Sequence, residues 1–377
     1  LDFTALRDSD SISQELRLQS SGDGDFNWLV GVFYNEVEED LGSIAPLFGI
    51  ENFSDRSAET YSAFFDGSYQ FSEKWELGAG IRYDDVEAEG SAYPELSPES
   101  WDELQPQVTL RYFINDDLST YFRAAKGFRP GGVNGAVANI PIFEEETLWS
   151  YEIGLKGEIM DGRGTIALTA FYVDDWDPQY IVLIPDLTGI EYETFQVGEA
   201  RSQGAELELN VAANDWLSLS LSGAYTDTEQ LDTDTADAAG SAPDIVEEGD
   251  PLPFAPEWNL IFGATADSDF SLLPGWSFTA SANVAVTGPT HYSLNLYDTG
   301  EDFTQDTYTL LNANIAIYNE RFKFELLGTN LTDEEYVTNG EAIPTIRAFG
   351  ITPPDSLPGF YNLGNGSQVI ARFTASF

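Results

Sequence analysis

The sequence predicts an all-β protein, an antiparallel transmembrane β-barrel. Apolar residues recur with period 2 along most of the 377 residues. The segments that show this period are long, and the connections between them are alternately short and long. Tryptophans gather at the segment ends.

Composition narrows the class first. Lys and Arg number 16 against 65 Asp and Glu, a net charge of −49. A phosphate backbone needs a basic footprint, so no nucleic-acid partner is expected. With no Cys, disulfides, Cys-ligated zinc and thiol catalysis are excluded. A single His (His291) rules out a multi-His metal cage and disfavours a His-based triad. There is no apolar run long enough for a transmembrane helix and no basic-then-apolar leader at the start. Aromatics at 14%, with 33 Gly and few Lys, suit a β protein.

In chain order, strands are predicted at 11–20, 26–36, 59–72, 75–86, 103–114, 118–128, 147–160, 164–176, 196–212, 216–227, 256–267, 276–287, 308–318, 321–332 and 366–377. In 59–72, Tyr61, Ala63, Phe65, Tyr69 and Phe71 alternate with Ser62, Asp66, Ser68 and Gln70. In 75–86, Trp75, Leu77, Ala79, Ile81 and Tyr83 oppose Glu76 and Arg82. In 147–160, Tyr151, Ile153 and Leu155 oppose Glu152, Lys156 and Glu158. Segment 216–227 sets Leu217, Leu219, Leu221 and Tyr225 against three serines. Segment 276–287 sets Phe278, Ala280, Ala282 and Val284 against Ser277, Thr279, Ser281 and Asn283. The last segment sets Val369, Ala371, Phe373, Ala375 and Phe377 against Gln368, Arg372, Thr374 and Ser376. Each is a strand with one apolar and one polar face. Most are longer than the roughly 5–6 residues of globular strands and match the roughly 9–11 that a tilted strand needs to cross a bilayer.

The connections 21–25, 73–74, 115–117, 161–163, 213–215, 268–275 and 319–320 are short; those between them, such as 37–58, 129–146 and 228–255, are long. Short periplasmic turns and long extracellular loops are the pattern of outer-membrane barrels. Trp28, Trp75, Trp216 and Trp276 lie beside short turns. Trp149, Trp176 and Trp258 lie beside long ones, and Trp101 reads as a loop residue. Two tryptophan girdles are what two bilayer interfaces select. Fifteen strands is an odd number, whereas single-chain bacterial barrels have an even one. The count therefore predicts that residues 1–377 are the C-terminal part of a longer barrel.

Several motifs then carry a resemblance. SQELRLQS (13–20) with NWLVGVFY (27–34), STYFRAAKGFRPGGVN (119–134), SYEIGLKGEIMDGRGTIALTAFYVD (150–174), ARSQGAELELN (200–210) and LLGTNLTDEEY (326–336) resemble, in order, the C-terminal part of a TonB-dependent outer-membrane receptor. The terminal Phe377 resembles the signal by which such barrels are recognised for insertion. The resemblance implies a 22-stranded barrel filled by an N-terminal plug, of which about 15 strands are present and the plug and TonB box are not. It implies location in the bacterial outer membrane among lipid and lipopolysaccharide. It further implies partnership with the TonB complex through the missing N-terminal part, and uptake of a scarce, bulky nutrient, most commonly an iron-siderophore complex. Binding and gating, not enzymatic bond chemistry, would be the mechanism. Two other readings stand beside it: a passive cation-selective porin, and a soluble extracellular adhesin or glycan-binding module.

Arg123, Lys126 and Arg129 crowd the upper end of one strand and are candidates for contact with an anionic substrate or with plug carboxylates; the plainer reading pairs them with lumen Glu or Asp. Trp101 and His291, in long connections, are further candidates for substrate or plug. Glu152, Glu158, Glu206 and Glu208 read as hydrophilic lining rather than as a catalytic pair. The acidic run 227–250 could concentrate a cationic substrate; a solvated surface, or loops bridged by divalent ions near lipopolysaccharide, is the simpler and favoured reading. No cofactor is expected, although Asp232-Thr-Asp234 admits a loop-bound Ca²⁺, without the full EF-hand spacing.

Overall fold

A computed structural model describes residues 4–376 apart from 23, 46–49, 93–95, 97, 136, 137, 139, 187, 188, 234–246, 270–272, 293–303 and 343–358. Its strands are β1 (Thr4–Gln19), β2 (Phe26–Ala45), β3 (Ile50–Ser72), β4 (Trp75–Gly90), β5 (Glu99–Phe113), β6 (Leu118–Arg129), β7 (Gly132–Val133), β8 (Ile142–Phe143), β9 (Glu146–Ile159), β10 (Gly164–Trp176), β11 (Gln179–Asp186) and β12 (Gly189–Gln196). They continue as β13 (Glu199–Asn214), β14 (Leu217–Asp232), β15 (Trp258–Asp269), β16 (Ser277–Thr287), β17 (Thr290–His291), β18 (Thr304–Gln305), β19 (Tyr308–Tyr318), β20 (Phe322–Thr329), β21 (Val337–Ala342), β22 (Gly359–Leu363) and β23 (Gln368–Ala375).

Fifteen of these form one antiparallel sheet in the order β1-β2-β3-β4-β5-β6-β9-β10-β13-β14-β15-β16-β19-β20-β23. They are the fifteen segments the alternation picks out. Among the described residues β1 and β23 each have one neighbour only, so the sheet carries two unpaired edges. The remaining strands pair as four hairpins, β7/β8, β11/β12, β17/β18 and β21/β22, inside connections expected to be plain loops.

Register converts the period of 2 into two faces. On β4, Trp75, Leu77, Ile81 and Tyr83 are exposed, while Glu76, Arg82 and Asp84 are turned to the other side and partly or fully covered. Leu104, Ile153, Leu168 and Ile315 are similarly exposed on their strands. Such a continuous apolar face is out of place in water but suits acyl chains. Trp28, Trp75, Trp149, Trp176, Trp258 and Trp276 fall on this outward face at strand ends, while Trp216 is exposed in the turn before β14. Ring pairs support the girdle: Trp75–Tyr112 at 4.7 Å, Trp149–Tyr151 at 6.1 Å and Trp276–Phe324 at 6.0 Å between centroids. Phe377 lies outside the described residues.

Two expectations about strand ends need correction. β2, β3 and β4 run on well past 36, 59 and 86, with Tyr34 paired to Tyr61 and the ladder continuing to Ala45–Ile50 and Arg56–Gly90. Trp101 is not in a loop: it is on β5, paired with Val86, and only 6% exposed. The apolar/polar alternation stops at the membrane surface, where the outward face meets water and turns acidic, so the pattern hides a strand that the backbone continues. Glu36–Glu59–Glu87 and Asp8–Asp40–Asp55 are rungs of carboxylates directly across neighbouring strands. Opposed like charges destabilise a sheet; here Tyr34 and Tyr61 donate hydroxyl hydrogen bonds to Glu36 and Glu59.

Candidate functional site

The inward face of β3 to β9 is a hydrogen-bonded polar wall. The Arg82 guanidinium holds Asp84 (2.8 Å) and Ser62, and Gln105 donates to the same Asp84. The Phe33 and Phe64 rings flank Arg82, each 5.7 Å away. Lower down, Gln107 on β5 donates to Asp66 on β3 at 2.8 Å, reaching across the intervening strand β4. Gly80 makes that reach feasible, because a Cβ there would stand 2.6 Å from Gln107 Nε2 and 2.8 Å from Asp66 Oδ2.

Of the three candidate cations of β6, Arg123 and Arg129 lie along this wall, while Lys126 stands opposite Trp149 in the register, on the outward side; each has a carboxylate. Arg123 pairs with Glu152 at 3.0 Å and also donates to Gln107; Lys126 pairs with Glu103 at 2.7 Å; Arg129 pairs with Glu146 at 3.1 Å. The cations are therefore compensated by their own wall. Trp101 does not join them as an open contact. Its Nε1 donates to Glu144 Oε2 at 2.8 Å, and Gly131 backs onto its ring. His291 sits six strands further along the sheet, on β17, with Nδ1 3.2 Å from Thr304 Oγ1. The structure thus does not gather Arg123, Lys126, Arg129, Trp101 and His291 into one cluster. Among the described residues no group of His, Asp or Glu is arranged to hold a metal ion; Asp234 lies outside the described residues.

Sequence reasoning missed a folded cap at the extracellular mouth. Val86, Ala88, Trp101, Val133, Tyr180, Phe195, Val197 and Ala200 are all buried there, and they make up most of the buried apolar side chains among the described residues. Hairpins β7/β8 and β11/β12 build this cap together with the tall ends of β4 and β5. Four amide side chains tie it. Asn134 accepts from Thr194 N (2.8 Å) and donates to Thr194 O and Ile140 O. Gln179 donates to Pro130 O and Glu144 O, and Gln196 accepts from Glu144 N. Gln230, fully buried, donates to Val197 O, Glu199 O and Asp232 O and accepts from the Tyr180 hydroxyl at 2.7 Å. Burial, with the negative charges of Asp175, Glu146 and Asp250, pushes the Tyr180 hydroxyl far above its ordinary pKa, so it remains a donor. Only the Pro-Gly-Gly of 130–132 and isolated polar residues mark this region in the sequence, because a small core built from scattered loop positions has no period.

The β-barrel model of the TonB dependent receptor-like family matches residues 2–331. The chain belongs to the TonB-dependent receptor β-barrel family. It is thus a barrel of the bacterial outer membrane. The pesticin receptor of Yersinia enterocolitica is 24% identical over 343 residues, 87% of this chain and 47% of that protein. The ferric yersiniabactin uptake receptor FyuA from Yersinia pestis superposes with a TM-score of 0.77 at 20% identity, over 100% of this chain and 55% of FyuA. BauA, the ferric preacinetobactin receptor from Acinetobacter baumannii, gives 0.74 at 19% identity, with 100% and 55% covered. This receptor barrel spans about half the length of the curated relatives it matches.

Proposed function

We propose that this chain is the wall of a TonB-dependent receptor that takes up a bulky iron chelate across the outer membrane. The observation that carries the reading is the agreement between the family match and a lumen wall whose polar groups are prearranged and turned inward from an apolar outer face. Relatives named for ferric yersiniabactin and ferric preacinetobactin support an iron-siderophore cargo. The two unpaired sheet edges would expose backbone N–H and C=O to lipid, which a bilayer does not tolerate. Further strands of the same receptor close the wall, and a plug fills it. The plug and its TonB contact lie outside these residues. In this reading Arg123 and Arg129, with their carboxylates, face the plug as an alternating-sign surface, while the tryptophan girdles face lipid and lipopolysaccharide. The protein binds and gates; it makes and breaks no bonds.

Uptake of radioactive iron by cells carrying the whole receptor tests this. Iron-chelate uptake that disappears when the receptor gene is deleted, and also when TonB is inactivated, is expected. Uptake unaffected by TonB loss would overturn it.

A further inference from the structure

The wall parts between two of its strands above the membrane. The β4/β5 ladder climbs to Ala88–Glu99 and the β6/β9 ladder to Arg129–Glu146, but the β5/β6 ladder stops at Gln107–Ala125. The reason is Pro106. Along an antiparallel strand, successive N–H groups point to opposite neighbours. Phe113 N donates to Lys74 O on the β4 side and Ile114 N to Leu118 O on the β6 side, so the even residues of β5 face β6. Pro106 is even and has no N–H to give. The next even residue up, Leu104, turns its N–H to Glu103 Oε1 at 2.7 Å. Neither of the first two positions past the end of the ladder leaves a donor that needs β6.

Side chains close the seam that this leaves. Lys126 starts on the outward face beside Trp149 and Glu103 on the lumen face beside Asp84, and their 2.7 Å ion pair passes between the strands. The Lys126 side chain is 22% exposed and that of Glu103 18%, so the pair is shielded from bulk water. Higher up, Trp101 Nε1 on β5 donates to Glu144, two residues before β9. On one side of the seam stands a panel, β1 to β5, joined by ladders throughout. It carries Val86, Ala88 and Trp101 of the cap core; Val133, Tyr180, Phe195 and Val197 belong to the other side. The two sides meet at glycines, with Gly131 against the Trp101 ring and Gly90 against Val133. At both contacts one partner has no side chain to interlock.

We propose that this seam is a joint in the wall: above Pro106 the β1–β5 panel swings against β6 and the cap hairpins, and the Glu103–Lys126 pair is its latch. The closed position is the ground state, because opening brings Val86, Ala88 and Trp101 into water. Opening unseals the mouth from its side without breaking a β5/β6 ladder bond. The joint is a property of the wall, whatever the cargo.

Spin-label pairs in the purified full-length receptor, read by pulsed electron paramagnetic resonance, test the joint; residues 1–377 contain no Cys to interfere. Labels at Glu87→Cys and Glu199→Cys straddle the seam, and labels at Asp10→Cys and Glu87→Cys lie within the panel; all three residues are exposed. Glu103→Gln keeps an acceptor for Leu104 N but removes the ion pair, and should raise the share of a longer Glu87–Glu199 distance about tenfold. Pro106→Val supplies the missing N–H and should lower that share again in the Glu103→Gln background. The Asp10–Glu87 distance should be the same in every variant, which separates a swing of the panel from its unfolding. A Glu87–Glu199 distribution that Glu103→Gln leaves unchanged overturns the joint. So does an Asp10–Glu87 distance that changes along with it, or a Pro106→Val variant in which the longer share stays as high. Iron uptake is no part of this readout, so its presence or absence decides the uptake reading alone.

Discussion

At the residue scale, the lumen wall depends on where side chains are absent as much as on where they are charged. Gly80 sits between Asp66 and Gln107 in the register, and their hydrogen bond passes over it. Gly80→Val would push both partners apart and leave them facing a methyl group. A destabilisation of about 1–3 kcal/mol is expected. It would appear as a lower temperature for the shift between the compact and unfolded bands in a detergent gel. Ala79→Val, one residue away on the lipid face, is the control and should leave that temperature unchanged; equal effects of the two would contradict this account of Gly80. The role of Gly80 was not legible in the sequence, where it is one of 33 glycines. Only the register puts Gln107 and Asp66, 41 residues apart, on either side of it. The cations tell the opposite story. That Arg123 and Arg129 meet lumen carboxylates was the plainer of two readings of the sequence, and Glu152 and Glu146 are those carboxylates.

At the scale of elements, the extracellular connections divide into ladders and hairpins rather than loose loops. The cap is a separate small core, and its tie points are polar. Gln230→Leu keeps the volume but removes the donor to three carbonyls and the acceptor for Tyr180, all of them in or beside buried groups. The loss is expected to cost about 3 kcal/mol locally, since unsatisfied buried groups carry their full desolvation penalty. Proteolysis within 179–196 should accelerate, while the barrel's band shift in a detergent gel persists. If cleavage rates match the parent, the amide is not what holds the hairpin. Alternation found the fifteen membrane strands because lipid on one side and water on the other impose it. It missed β7, β8, β11 and β12, because the side of the cap hairpin that is buried mixes polar Glu193 with Phe195 and Val197 while apolar Ile181 is exposed, so burial there writes no apolar/polar alternation into the sequence.

At the scale of the molecule, the fifteen-stranded sheet has two edges without a neighbour among the described residues, an open wall. A passive pore requires closure. In planar-bilayer recording the chain by itself is therefore expected to give no stable ohmic steps. Reproducible channels of one fixed conductance would favour the porin alternative instead. The net charge of −49 also has its place in the whole. Rungs of carboxylates lie on the outward face above the girdle, while Arg82, Arg111, Arg123 and Arg129 on the wall of β4 to β9 are each matched with a carboxylate. A purely acidic lumen, the premise of a cation-selective pore, is not what these strands build.

The sequence alone determined the fifteen strands of the main sheet, their two faces, the alternation of short and long connections, the outward placement of six of the seven tryptophans read as a girdle, and the family. All of these follow from the local order of residues in a chain whose two sides meet different solvents. Tertiary structure alone decided which residues share the mouth, that Trp101 is buried in a cap, and that the ladder between β5 and β6 stops at Gln107. Proximity between loops depends on strand register and hairpin packing, and these leave no periodic trace along the chain.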